Sequence, residues 1–369
     1  MESNMPNVYP NLTDLPPKIN YDALFKQIVA AHSALGELRG ALINIPNPDL
    51  LTSPLLFKEA TLSSRIEGTQ ATLDDVLEYE AEEKTSQSRE VEIDIIEILN
   101  YRKAIHFALE ELKKKPLGEN IIKKVHYILM DSVRGANRDR GNFRRIQVWV
   151  GKPGSPIEQA TYIPPNPTEI PSLFSKWENY LHSDLERDSL IKVGVAHYQF
   201  EAIHPFMDGN GRIGRLLIPL LLYQNELLTH PTLYISEFFE SRRDYYYDSL
   251  HKIDTSGVWE DWLDFFLAAV ETQSLKTQIK ILKMLDLYNN LKSEVSKMRA
   301  SYAVNLLDLI FTNPFVTFNS IKKVLNINNQ TIYNLLKKFV DSNILIEFSK
   351  KKRNKLYVFQ RLREVIDEP

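Results

Sequence analysis

The sequence contains no cysteine. That absence excludes a disulfide framework, a thiolate metal site, an iron–sulfur cluster and a cysteine nucleophile, whatever the redox compartment. Histidine is sparse as well, 8 among 369 residues, so any imidazole chemistry rests on a few positions. There is no long apolar run. The richest, Leu216 to Tyr223 (LLIPLLLY), contains Pro219 and falls far short of the roughly 20 residues that span a bilayer. The start, Met1 to Pro17 (MESNMPNVYPNLTDLPP), lacks the basic and apolar regions of a secretory signal, so a cytoplasmic protein with no membrane association is expected. What is present, 43% hydrophobic and 25% charged residues, is the balance of a globular chain of two or three domains, not a collagen-like, coiled-coil or disordered one.

Charge is unevenly spread. Ser301 to Pro369 carries 11 Lys and Arg against 6 Asp and Glu, which leaves a net negative first 300 residues and predicts a separate C-terminal module. Apolar residues recur at helical spacing over Asp22–Leu42, Leu55–Glu67, Thr72–Glu82, Val91–Lys114, Gly118–Val133, Ile170–His182, Asp188–Ala202, Gly211–Glu226, Arg242–Asp254 and Val258–Leu291, so the fold class is mainly α. Between these, Phe143–Gly151 (FRRIQVWVG) alternates like a strand, and Ala160–Pro164 returns beside it after a turn-rich stretch, predicting one hairpin. From Tyr302 a helix (YAVNLLDLIF) is followed by a short helix after Thr317 and another after Asn328. Then come Ile344–Phe348, a basic turn Lys350–Lys355 and Leu356–Phe359. Three helices and a two-stranded hairpin with a charged tip predict a winged helix-turn-helix. Such modules usually contact DNA, and they also serve as docking or dimer-forming units.

The chemistry concentrates in Ile203 to Arg215, IHPFMDGNGRIGR, between two helices. Gly209-Asn210-Gly211 leading into an apolar helix offers free backbone N–H groups at the positive end of a helix dipole, an anion cradle suited to phosphates. Arg212 and Arg215, three apart, can both lean over that first turn and add guanidinium forks. Asp208 is the right ligand type for Mg²⁺ between phosphates, since that ion takes one or two carboxylates and leaves its other positions to water and substrate. His204, with an ordinary pKa near working pH, can take a proton from an attacking hydroxyl.

This run is similar to the Fic-family motif HPFx(D/E)GNGRxxR at His204, Pro205, Phe206, Asp208, Gly209, Asn210, Gly211, Arg212 and Arg215. Upstream, Ser63 to Gly68 (SSRIEG) resembles the (S/T)xxxE(G/N) inhibitory helix of Fic proteins, here over about residues 53–67. The resemblance implies an N-terminal region over 1–90 and a Fic-type helical core with a β-hairpin flap over 91–291. A winged helix-turn-helix over 292–369 completes the expected architecture. It further implies a protein adenylyltransferase that moves AMP from ATP to Ser, Thr or Tyr hydroxyls of target proteins and of itself, releasing pyrophosphate without a covalent enzyme intermediate. His204 would be the general base and Asp208 the Mg²⁺ ligand. ATP would lie along Asp208, Gly209, Asn210, Gly211, Arg212, Ile213, Gly214 and Arg215, and Arg215 would seat the γ-phosphate.

The same resemblance makes Glu67 and Ser63 inhibitory, with Glu67 paired to Arg215 where the γ-phosphate would settle. Gln147, Val148, Trp149, Val150 and Gly151, with Thr161, Tyr162 and Ile163, look like the flap that holds an extended target segment by strand pairing. Tyr246 and Tyr247 resemble the aromatic residues beside adenine, and Asp254 is expected to face the nucleotide. Phosphate-transferring relatives carry Lys where this chain has Gly211, which leaves room for the β- and γ-phosphates of ATP. Two alternatives stay open from the sequence: removal of AMP in the same site with Glu67 activating a water, and a winged-helix DNA-binding regulator with a nucleotide-sensing Fic core. A homodimer is a further expectation, and the target protein is unidentified.

Overall fold

The computed structural model describes residues 12, 14–43, 45, 47–82, 88–133, 139–151, 154, 156–348 and 355–368. The helical periodicity emerges as α1 (Tyr21–Ile43), α2 (Asp49–Ile66), α3 (Leu73–Glu82), α4 (Arg89–Leu112), α5 (Glu119–Leu129), α6 (Ile170–His182), α7 (Ser189–Ile203) and α8 (Asn210–Gln224). It continues through α9 (Ser236–Ser241), α10 (Arg243–Ser256), α11 (Glu260–Lys297), α12 (Ala303–Thr312), α13 (Phe318–Leu325), α14 (Asn329–Asp341) and α15 (Gln360–Asp367). Among the described residues no helix is long and apolar enough to cross a membrane.

α7 and α8 form the centre. α7 begins at Asp188, whose carboxylate accepts from the Leu190 and Ile191 amides at 2.9 and 3.0 Å, the N-cap arrangement that satisfies orphan donors of a first turn. It is buried on nearly every face from Leu190 to Ile203, and α8 is buried from Arg212 to Leu222, so the apolar LLIPLLLY run is core and not surface. α2 packs against α4, α9 and α12. Its polar second half is buried too, and most of its groups find partners, the Ser64 hydroxyl being an exception among the described residues. Glu59, for example, accepts from the Ser236 hydroxyl at 2.6 Å and the Tyr101 hydroxyl at 3.3 Å. α1 runs alongside α11, with the Asn20 amide on Glu260 and Gln27 on Glu271. At 1.5 Å per residue, the 38 residues of α11 reach about 57 Å and carry the chain from the core to its C-terminal segments.

The C-terminal segments close back on the N-terminal helices. Their sheet has three antiparallel strands, β1 (Phe315–Thr317), β2 (Ile346–Glu347) and β3 (Leu356–Val358), in the order β1-β3-β2. The sequence predicts two strands here. β1 is three residues long and wholly buried, so it shows none of the in–out alternation that marks a strand. The helices α9 and α15 are likewise absent from the predicted segments, α9 being only six residues long. The Thr317 hydroxyl donates to the Ala81 carbonyl at 3.1 Å and the Asn313 amide to Glu80 at 2.9 Å. Lys58 of α2 and Lys280 of α11 both donate to the Ile366 carbonyl near the end of α15. The expected basic turn Lys350–Lys355 lies, except for Lys355, outside the described residues.

The predicted hairpin over Phe143–Pro164 is a correction as well. Among the described residues the two arms meet in a single bridging pair, Val150 with Tyr162, joined by Val150 N–H to Tyr162 O at 2.8 Å and Thr161 N–H to Val150 O at 2.8 Å. A longer ladder is not made. Pro164 and Pro165 supply no N–H, and the Gln147 side chain takes the Pro164 carbonyl at 2.8 Å in place of a backbone donor.

Candidate active site

α7 ends at His204, which adopts the left-handed conformation (φ 49°, ψ 60°) and reverses the chain into the loop. The loop is closed by Asn210. Its side-chain carbonyl accepts from the Phe206 amide at 2.8 Å and its NH2 donates to the Phe206 carbonyl at 2.8 Å. Phe206 is fully buried and stacks on His126, with ring centroids 3.9 Å apart. His126 accepts from the Gly141 amide at Nδ1 and donates from Nε2 to the Asp208 carbonyl, and burial pushes its pKa down to about 4, so it is a neutral brace. Gly209, at φ 78°, makes the turn into α8 in a conformation that glycine adopts without strain. The opening amides of α8 have no intrahelical acceptor, which leaves them available to an anion. The Gly209 amide differs from expectation, because it donates to the Asp208 carboxylate at 2.7 Å.

Burial, with the Arg144 guanidinium adding to it, pushes the His204 imidazole down to about 4, so the ring is neutral at working pH. Its Nδ1 faces the Glu201 carbonyl at 3.3 Å, which leaves Nε2 for a substrate proton. The two arginines of the loop part ways. Arg212 turns to α4 and α5, where it pairs with Glu97 at 3.2 Å, both side chains being 5% exposed, and approaches the Met130 sulfur at 3.6 Å. Arg215 turns to α2. Its Nε donates to the Ser63 hydroxyl at 3.0 Å, and Nη2 donates to the Ser63 carbonyl at 2.9 Å and to Glu67 Oε1 at 2.6 Å.

Glu67 sits directly over Gly211. A Cβ added to Gly211 would stand 2.3 Å from Glu67 Oε1 and 3.0 Å from Arg215 Nη1, so the space that a missing side chain opens is filled by the carboxylate. Burial alone would raise the Glu67 pKa, but the Arg215 charge and hydrogen bond outweigh it and hold the group below the usual carboxylate range. Arg215, wholly buried, is disfavoured by desolvation yet held above its ordinary value by Glu67. The Glu67 side chain remains 36% exposed, open to the cleft.

Two models of one family match the chain: the Fic/DOC family N-terminal region over residues 25–110 and the Fic/DOC family over residues 116–222, together more than half its length. The chain belongs to the Fic/DOC family. Among curated relatives it is 28% identical over 212 residues to the protein adenylyltransferase Fic of Drosophila mojavensis, covering 52% of this chain and 39% of that protein. It is 29% identical over 182 residues to a probable protein adenylyltransferase of Aquifex aeolicus, covering 44% and 53%. The alignments thus span about two-fifths to half of those relatives' lengths. In fold it is similar to a Fic family protein from Desulfovibrio desulfuricans (TM-score 0.58, 20% identity, 93% of this chain and 98% of that one). It also resembles Fic-1 of C. elegans (TM-score 0.56, 19% identity, 71% and 74%).

Within this Fic fold the other expected site residues scatter. Tyr247, 41% exposed, is raised to about 12 chiefly by burial, with Glu67 and Arg215 among the charges it feels, so it borders the cleft. Tyr246 is core: 1% exposed, stacked on Phe239 at 4.4 Å, with its hydroxyl on His197 Nε2 at 2.9 Å. Burial pushes His197 down to about 3, and its Nδ1 bonds the Gly214 carbonyl at 3.0 Å, so Tyr246 reaches the loop through His197. Asp254 accepts from Tyr198 at 2.6 Å and lies near His251, and burial raises it to about 6. These contacts tie it to α7 and its own helix. Ile213 is buried beneath the loop. Of the flap residues, Trp149 and Val150 are exposed, and the Tyr162 hydroxyl is anchored on the Ala202 carbonyl at 2.5 Å. Ile163 is buried.

Two carboxylates of the site escape a reading of the sequence. Glu97 lies on α4, remote in sequence from the Arg212 it pairs with. Glu201, one turn before His204, buries Oε1 with no hydrogen-bond partner among the described residues, beside Gly214, where an added Cβ would stand 2.1 Å from it. Burial pushes the Glu201 carboxyl up to about 7. The signal for Glu201 was local, an acidic residue on a helix otherwise buried all round.

Proposed function

We propose that this Fic protein is a protein adenylyltransferase, moving AMP from ATP to a Ser, Thr or Tyr hydroxyl of a target protein or of itself, and held inactive by Glu67 on Arg215. The observation that carries the reading is the Glu67 carboxylate lying over Gly211 and bonded at 2.6 Å to Arg215, with a neutral His204 across the same loop. The names of the relatives support the reaction class, and the cleft supports the roles. His204 takes the proton of the attacking hydroxyl at Nε2. The α8 amides and Arg212, the latter fixed by Glu97, hold negative charge that builds on the phosphates. Arg215 binds the terminal phosphate once Glu67 has left, because a phosphate needs the donors that the carboxylate holds.

The donor set fits Mg²⁺ held mainly by substrate. Asp208 offers one carboxylate, 37% exposed, and no group of three or more ligating side chains exists among the described residues. Bound there, Mg²⁺ would neutralise phosphate charge. The exposed bridge at Val150 supports docking of an extended target strand beside the loop. For the C-terminal region, α12–α14 with the three-stranded sheet support the winged helix-turn-helix reading, and its packing on α2 and α3 supports a role in holding the inhibitory region.

A second reading, removal of AMP, draws support from the ionised, part-exposed Glu67 carboxylate, which can activate a water in the same cleft. The test is incubation of Glu67→Gly and Glu67→Gly/His204→Ala proteins with α-labelled ATP and Mg²⁺, read by gel and intact mass. AMP additions that vanish with His204→Ala are expected. Equal labelling of both would overturn the assignment of the base, and AMP release from a pre-labelled target by wild-type protein alone would favour the second reading.

A further inference from the structure

Arg144 stands between the catalytic loop and the flap, and its side chain is 2% exposed. Among the described residues, every hydrogen bond of its guanidinium goes to a main-chain carbonyl. Nε donates to His204 O at 2.8 Å, Nη2 to Pro165 O at 2.6 Å and Nη1 to Ile146 O at 3.4 Å. Its own amide donates to Pro205 O at 2.9 Å. A buried cation with no paired carboxylate among the described residues is costly, and burial pushes its pKa down to about 10, which still leaves it charged at neutral pH. A neutral brace would avoid that cost.

The three carbonyls mark the parts that catalysis must keep together. His204 is a non-glycine residue in the left-handed region, a conformation that persists only where the surroundings over-determine it. Ile146 immediately precedes the first flap arm and Pro165 follows the second. One guanidinium therefore ties the peptide of the base to both roots of the flap.

We propose that Arg144 is a positioning residue for the transfer: it fixes His204 and the two flap roots as one unit, so that a hydroxyl delivered by the flap meets the imidazole at a set separation. The inference rests on the transferase reading above. Its charge has a second consequence. The groups facing His204 are Arg144 from the segment before the flap, Glu67 from the turn after α2, Asp208 from the loop and Glu201 from α7. Glu67 and Asp208 favour a protonated imidazole and Arg144 opposes them.

The test compares Arg144→Lys and Arg144→Met in the Glu67→Gly background. Arg144→Lys keeps the charge and loses the fork. It is expected to lower kcat by about 10–100-fold, the size of effect that a misplacement of about 1 Å produces, while the ATP KM and the acid limb of the pH–rate profile stay within about twofold and a few tenths of a unit. Arg144→Met loses both, and the His204 titration moves to higher pH. That shift is read by NMR of ring-labelled histidine in nucleotide-free, metal-free protein, so it needs no activity. A fall in kcat together with an equal rise in KM and a lowered Tm in Arg144→Lys would reduce Arg144 to a structural residue. An unmoved His204 titration in Arg144→Met would overturn the electrostatic part. If Glu67→Gly transfers no AMP at all, the transferase reading fails, whereas the titration still decides Arg144's hold on His204.

Discussion

Gly211 and Glu67 share one small volume, and that sharing makes a prediction that charge alone would not. Gly211→Ala places a Cβ 2.3 Å from Glu67 Oε1, so the carboxylate must shift from its place over Gly211. In the proposed transfer the same methyl group would occupy the space that the phosphates need. Gly211→Ala should therefore transfer no more AMP than wild type, in contrast to Glu67→Gly, and a large gain of activity would show that the space over Gly211 is not the phosphate site. Glu97 gives a second expectation. Arg212 and Glu97 are each 5% exposed, and removing one partner leaves a buried charge, so Glu97→Ala should cost about 3–5 kcal/mol of stability in urea unfolding. The loop residues were readable because chemistry-bearing side chains crowd a dozen positions. Glu97 was not, since a pair between α4 and α8 leaves no trace in local spacing, and neither was the division between Tyr246 and Tyr247, because adjacent aromatics on α10 do not say which ring faces the core.

At the scale of elements, α7 delivers His204, and its start is fixed by Asp188. The carboxylate accepts from two amides and from His32 at 2.8 Å, and this hydrogen bond raises the His32 pKa. Asp188→Ala should destabilise the protein by about 1–2 kcal/mol, seen as a lower urea midpoint with unchanged slope. An unchanged midpoint would mean that packing alone sets where α7 begins. The long helices were visible in the sequence because burial imposes a period on them. The flap and β1 were seen imperfectly, one overextended and one missed. Proline placement and short, two-sided burial decide those segments, and neither produces an alternating pattern.

Across the whole molecule, buried titratable groups set the response to acid. His126, His197 and His204 are pushed down by burial to about 4, 3 and 4. They stay neutral in the folded protein but protonate in the unfolded chain below about pH 6.5, so their contribution to stability is full above that pH and is lost progressively as pH falls toward 4. The Glu67–Arg215 pair acts in the same direction: its contribution is present above the ordinary carboxyl pKa and lost as pH falls through the lowered Glu67 value. Glu201, raised to about 7, opposes them by destabilising the fold as pH rises toward neutrality. The urea midpoint should fall between pH 6.5 and 4, and a flat profile would contradict the burial of these imidazoles.

The closing of the C-terminal segments onto α2 and α3 was not visible in the charge asymmetry that marked them out, because separate composition does not imply separate packing. It puts α2 inside the body of the molecule, and Glu67 at the point where that body meets the cleft. The most direct measurement is the initial rate of AMP incorporation from α-labelled ATP, with Mg²⁺ and a cell lysate, by wild-type and Glu67→Gly proteins at equal concentration. A buried charge-assisted contact is worth about 1.5–3 kcal/mol, so the variant should label about 10–100-fold faster. Equal rates would contradict inhibition by Glu67 on Arg215.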